Sequence, residues 1–196
     1  MYDYRKMTPE ERAGAVAARQ ARGWPWHAPP HLEGGIGWYM ISAACYGHRE
    51  ILTSAPRLSE FAAALLDCLE GLKAEVRGWV VLPNHYHIML STDLGQFRAR
   101  IARLHNGKST QWNREDGLPG RRVWFRFSDR QLRSEGHYYA SLNYIHTNPV
   151  KHGYAEEAGL WPWSSVHEYV ERVGRDGLAE WWKRYPVLDY GRGWDD

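Results

Sequence analysis

Two short segments hold side chains whose types and spacing could do chemistry: LPNHYHIML at residues 82–90 and LNYIHTNPVKHG at residues 142–153. Side chains on a strand alternate faces, so His85 and His87 project from one side and Tyr86 from the other. Two imidazoles so placed can both reach one cation, and histidine is a common metal ligand. The same pattern also suits two hydrogen-bonded or exposed histidines. In the second segment Tyr144 and Asn148 are four residues apart on an expected helix, about one turn apart on a shared face. The Asn148 carbonyl oxygen can ligate a hard or borderline cation, with Tyr144 held beside it. A core tyrosine and a helix-ending asparagine before proline would use the same residues. Tyrosine ionises near pKa ~10, so it needs a neighbouring cation or base to become a useful nucleophile.

Charge gives a second signal. The chain of 196 residues carries a formal net charge of only +2, yet positions 98–133 hold ten Lys and Arg against three acids. A local excess of that size is an electrostatic footprint for a polyanion, or else a solvated helix face and loop. On the first reading Arg98, Arg103, Lys108, Arg121, Arg122 and Arg126 are the candidate phosphate contacts. Aromatic residues make up 14% of the chain. Trp112 and Trp124 lie within the basic stretch and could stack on unpaired bases, or pack in the core. His105, His137, His146 and His152 receive no role.

Taken together, GWVVLPNHYHIML, YIHTNPVKHG, the upstream RFSDRQLRS at 126–134 and PWSS at 162–165 resemble the REP-associated tyrosine transposases. These are relatives of the insertion-sequence transposases that carry a His-hydrophobic-His (HUH) motif and one tyrosine. The similarity covers about residues 37–165. It implies that His85 and His87 are metal ligands, that Asn148 is a third, and that Tyr144 is the nucleophile. Tyr86 stands where the pattern has an aliphatic residue, on the face away from the chemistry.

The resemblance further implies a divalent metal, Mg²⁺ or Mn²⁺: imidazoles suit Mn²⁺, and cellular supply favours Mg²⁺. The expected reaction is cleavage and rejoining through a 5′-phosphotyrosine, on single-stranded DNA bearing a hairpin, a REP-like palindrome. Two other functions use the same residues. One is a domesticated hairpin-DNA-binding protein without transposition, the other a metal-dependent phosphoesterase using water. A monomer or a homodimer is compatible, with the tyrosine helix used in cis or exchanged.

Several elements must position these residues. WYMISAACY (38–46) is rich in aromatic residues and reads as a strand. Apolar residues recur at helical spacing over 58–75. EVRGWVVLP (75–83) and HYHIMLS (85–91) read as a hairpin with a very short turn. Leu94, Phe97, Ile101 and Leu104 make the stripe of another helix, with Arg98, Arg100 and Arg103 off it. VWFRF (123–127) reads as a short strand. A helix over 135–148 is expected to stop at Pro149, and LAEWWKRY (178–185) to form another. This order suggests an α+β layer with a mostly antiparallel sheet, and the resemblance implies the ferredoxin-like sandwich of HUH endonucleases, with helices packed on a central sheet.

Thr8-Pro9-Glu10-Glu11 announces a helix to about Gln20, followed by the arm WPWHAPPHLEGG. The expected organisation is an N-terminal helix and arm at 1–34, the transposase-like domain at 35–170, and a C-terminal helix and tail at 171–196. Cys45 and Cys68 lack metal-ligand spacing and read as reduced core residues of a cytosolic protein. No apolar run approaches a membrane span, so the expectation is a bacterial cytoplasmic protein, nucleoid-associated when bound to DNA.

Overall fold

The computed structural model describes residues 36–188, together with Thr8 and Glu10. The expected N-terminal helix and arm and the last residues of the tail otherwise lie outside the described residues. Strand β1 (Gly37–Ala44) leads to helix α1 (Ala55–Glu70), the hairpin β2 (Glu75–Val81) and β3 (His85–Thr92), and helix α2 (Leu94–Glu115). Strand β4 (Ser128–Gln131), helix α3 (Glu135–Lys151) and helix α4 (Val166–Arg184) follow. The four strands form one sheet in the order β2-β3-β1-β4, and every pairing is antiparallel. This is the α+β, ferredoxin-like βαββαβ arrangement.

The first three helices begin where an N-cap side chain can accept an otherwise unpaired N–H. Ser54 accepts from Arg57 N at the start of α1, Asp93 from Gln96 N in α2, and Ser134 from His137 N in α3. A cap of this kind contributes about 1 kcal/mol. Helices α1 and α2 cover one face of the sheet, where Tyr86 meets Phe61 and hydrogen-bonds His105 at 2.9 Å. Helix α3 covers the other. Strand β3 lies between them, and all of its residues but Ser91 are buried. That explains its near-continuous apolar sequence beside the histidines.

Gly78 permits the close approach of α3. A Cβ built there would stand 2.7 Å from Leu142 Cδ1, so a larger residue requires the buried Leu142 side chain to shift. Beyond α3, residues 161–165 run along the free edge of β2: Val81 N donates to Trp163 O and Ser165 N to Trp79 O, both at 2.9 Å. The two tryptophans of that turn thus protect a sheet edge. Cys45 is buried, which pushes its thiol up to about 12, and neither cysteine forms a disulfide.

Four local expectations are revised. The VWFRF segment is not a strand: Trp124 makes one bridge to Cys45, and the ladder to β1 belongs to Ser128–Gln131. Val123, Trp124 and Phe127 are buried there, so the apolar pattern reflects packing of an irregular strap. Pro149 does not end α3, which continues to Lys151. A proline in the last turn removes one donor only, and the closing carbonyls find partners, Asn148 O from His152 N and Val150 O from Gly153 N. The C-terminal helix begins earlier, at Val166, and bends at Gly174, whose φ of 74° lies in the left-handed region. Helix α1 ends at Glu70 rather than reaching 75.

Candidate active site

Strand β3 presents His85 and His87 to α3, with ring centroids 5.0 Å apart. The β1–β3 register sets Ser42 opposite His87, and Ser42 Oγ lies 2.7 Å from His87 Nδ1. On His85, Nδ1 is 2.6 Å from Asn84 Oδ1 and Nε2 is 2.9 Å from Asn148 Oδ1. One turn before Asn148, the Tyr144 ring packs edge-on against His87 at 5.1 Å. Lys151 Nζ donates to Tyr144 Oη at 3.3 Å and stands 4.8 Å from the ring centre. His152 lies 4.8 Å from His85, ring to ring. His85, His87, Tyr144 and Asn148 are all buried.

Both His85 nitrogens face amide oxygens, but a neutral imidazole carries one N–H. With that proton held at Asn84, the Nε2 lone pair confronts the Asn148 oxygen, and a cation between them would satisfy both. The 2.9 Å separation of these two atoms would allow both to serve as ligands of one small cation. The Asn148 amide faces His85 through Oδ1, and its Nδ2 is buried without a hydrogen-bond partner among the described residues. Among the described residues no group of three or more His, Cys, Asp or Glu side chains could hold a metal. A cation here would therefore rest on the two imidazoles and the Asn148 amide, a set that fits Mg²⁺ or Mn²⁺.

No family model matches the chain. A REP-associated tyrosine transposase of Escherichia coli (strain K12) is 33% identical over 145 residues, covering 72% of this chain and 82% of that protein. The chain belongs to the REP-associated tyrosine transposases. A relative from Haemophilus influenzae, provisionally given the same family name, is 31% identical over 129 residues, covering 58% of this chain and 71% of its own. A solved REP-associated tyrosine transposase bound to a REP hairpin superposes with a TM-score of 0.59 at 25% identity, covering 73% of this chain and 84% of that one.

In this chain the basic stretch is divided. Arg98, Arg121, Arg122 and Arg126 line a groove of about 660 Å³ between α2 and residues 121–127. Arg122 lies over the Tyr46 ring at 4.5 Å. Arg103 is exposed outside that lining, and Lys108 turns to Glu60 at 2.6 Å. Arg121 shares Asp116 with Arg57, and the two guanidinium groups hold that carboxyl down at about 2. The tryptophans pack in the core: Trp112 and Trp124 are buried, and Trp124 stacks on His105 at 4.3 Å. Burial lowers His105 to about 3, so it adds no charge to the groove at neutral pH.

Ser42, Asn84 and Lys151 also stand at the site, although no sequence motif singles them out. Asn84 directly precedes His85, and Lys151 follows Tyr144 by two helical turns, so both carried a positional signal. Ser42 carried none, because only the strand register brings it to His87. Among the described residues, no helix is long and apolar enough to cross a membrane.

Proposed function

We propose that this transposase-family chain is a single-strand DNA endonuclease and strand transferase that cuts and rejoins hairpin-bearing DNA through Tyr144. The observation that carries the reading is the meeting of α3 with β3, which brings Tyr144 against His87 and Asn148 against His85. The Tyr144 oxygen attacks the scissile phosphorus in line. Its bond to phosphorus forms as the P–O3′ bond breaks, and the phenol proton ends, through solvent, on the leaving 3′ oxygen. The products are a 5′-phosphotyrosine and a free 3′-OH. The ester retains the phosphodiester energy, so a 3′-OH can reverse the step without nucleotide hydrolysis.

A Mg²⁺ or Mn²⁺ ion on His85, His87 and Asn148 would supply Lewis-acid stabilisation of charge on the phosphoryl oxygens. Asn84 and Ser42 hold the two imidazoles in fixed orientations, the outer-shell role that conserves ligand geometry. Tyr144 is buried, so DNA reaches its oxygen only as neighbouring side chains give way. The REP hairpin bound by the solved relative supports hairpin DNA as the substrate class, and the arginine groove offers phosphate contacts.

The test is incubation with labelled single-stranded hairpin DNA and Mn²⁺ or Mg²⁺, followed by a denaturing gel. A covalent adduct that disappears in Tyr144→Phe is expected. Cleavage that survives in Tyr144→Phe would instead assign a water-using phosphoesterase. Binding without cleavage in either metal would leave a hairpin-binding protein.

A further inference from the structure

On the reading of Tyr144 as nucleophile, we propose that Lys151 is a further catalytic residue, whose ammonium group contacts the attacking oxygen and then the phosphoryl oxygens of the phosphotyrosine. Lys151 sits seven residues after Tyr144, two turns along the same helix, because α3 continues through Pro149. Had the helix stopped at the proline, this side chain would have no fixed relation to the tyrosine. Its Nζ donates to Tyr144 Oη at 3.3 Å and lies 4.8 Å from the ring centre, while the residue itself is exposed. A buried phenol is thus contacted by a cation that reaches in from the surface of the helix.

That position has a chemical consequence. In the attack, negative charge spreads over the phenolic oxygen and the non-bridging phosphoryl oxygens, and a cation already beside them stabilises it without reorganisation. An ammonium group has three donors, so one can pass from the phenolic oxygen to a non-bridging oxygen as the new bond forms. In reverse, the same contact stabilises the same transition state when a 3′-OH attacks the phosphotyrosine. An ordinary surface lysine resting on an aromatic ring would affect neither direction.

The experiment measures single-turnover adduct formation, rejoining of the purified adduct to a strand with a free 3′-OH, and hairpin dissociation constants for wild type, Lys151→Met and Lys151→Arg. Lys151→Met is expected to slow adduct formation by about 100-fold, the loss typical of one electrostatic donor. Rejoining slows as well, hairpin affinity changes little, and Lys151→Arg recovers much of the rate. Wild-type rates in Lys151→Met would overturn the assignment. So would a rate loss that only tracks weaker hairpin binding, or a fall in thermal stability sufficient to explain it. If wild type forms no Tyr144-dependent adduct, the nucleophile reading itself fails, a result distinct from Lys151 being dispensable.

Discussion

His85 Nε2 and Asn148 Oδ1 approach to 2.9 Å across 63 residues of chain, joining a strand to the last turns of a helix. On its other side the same imidazole is held by Asn84, with Nδ1 2.6 Å from Oδ1. Removing an outer-shell partner of this kind typically lowers metal affinity or activity by about 10–100-fold. Asn84→Ala is therefore expected to weaken Mn²⁺ binding by such a factor while the fold survives, because Asn84 lies in the short hairpin turn and is only partly buried. Titration of Mn²⁺ by electron paramagnetic resonance, beside a thermal melt, checks it. Unchanged Mn²⁺ affinity would remove Asn84 from the site.

Tyr144 packs at 5.1 Å against His87 of its own chain. The proposed reaction is therefore expected to run in cis. Tyr144→Phe and a His85→Ala/His87→Ala double variant should each form no adduct, and mixing them should restore none. Adduct appearing in the mixture would show that the tyrosine helix is exchanged between chains.

The pairing of these two motifs was legible because strand alternation and helical four-spacing each place two side chains on one face, and the resemblance related one face to the other. What stayed hidden depended on tertiary register or on local rules overridden by burial. Ser42 reaches His87 only through the β1–β3 pairing. Pro149 reads as a stop signal, yet Asn148 and Pro149 are both buried and the helix carries on to Lys151. The aromatic-rich run at residues 123–127 suggests a strand, whereas Val123, Trp124 and Phe127 are buried in an irregular strap. Charge alone could not separate Arg98, in the groove, from Lys108, which is paired with Glu60.

That separation makes a prediction about salt. Each phosphate contact on single-stranded nucleic acid contributes roughly 0.7 to the slope of log affinity against log salt, and about 0.9 on a duplex. Arg98→Gln and Arg126→Gln should each weaken hairpin binding and flatten that slope by about one contact. The loss should be alike for hairpins of different sequence, since phosphate contacts carry no base information. Lys108→Gln should leave the slope unchanged, its partner being Glu60. Equal flattening by Lys108→Gln and Arg98→Gln would place the DNA path elsewhere on α2.

The last prediction concerns pH. His105 is stacked on Trp124 and hydrogen-bonded to Tyr86 at 2.9 Å, and burial lowers its pKa from 6.5 to about 3. Between those values the unfolded chain takes up a proton at this position that the folded chain refuses. Unfolding is thus favoured progressively as pH falls from about 6.5 towards about 3, with no contribution from this group above that window. Urea denaturation at pH 7.5, 6 and 5 should show stability falling with pH. A Tyr86→Phe/His105→Leu double variant, which removes the ring and its hydrogen-bond partner together, should show a shallower fall over the same interval. An identical slope in the double variant would mean that His105 is protonated in the folded protein, or that other groups account for the acid sensitivity.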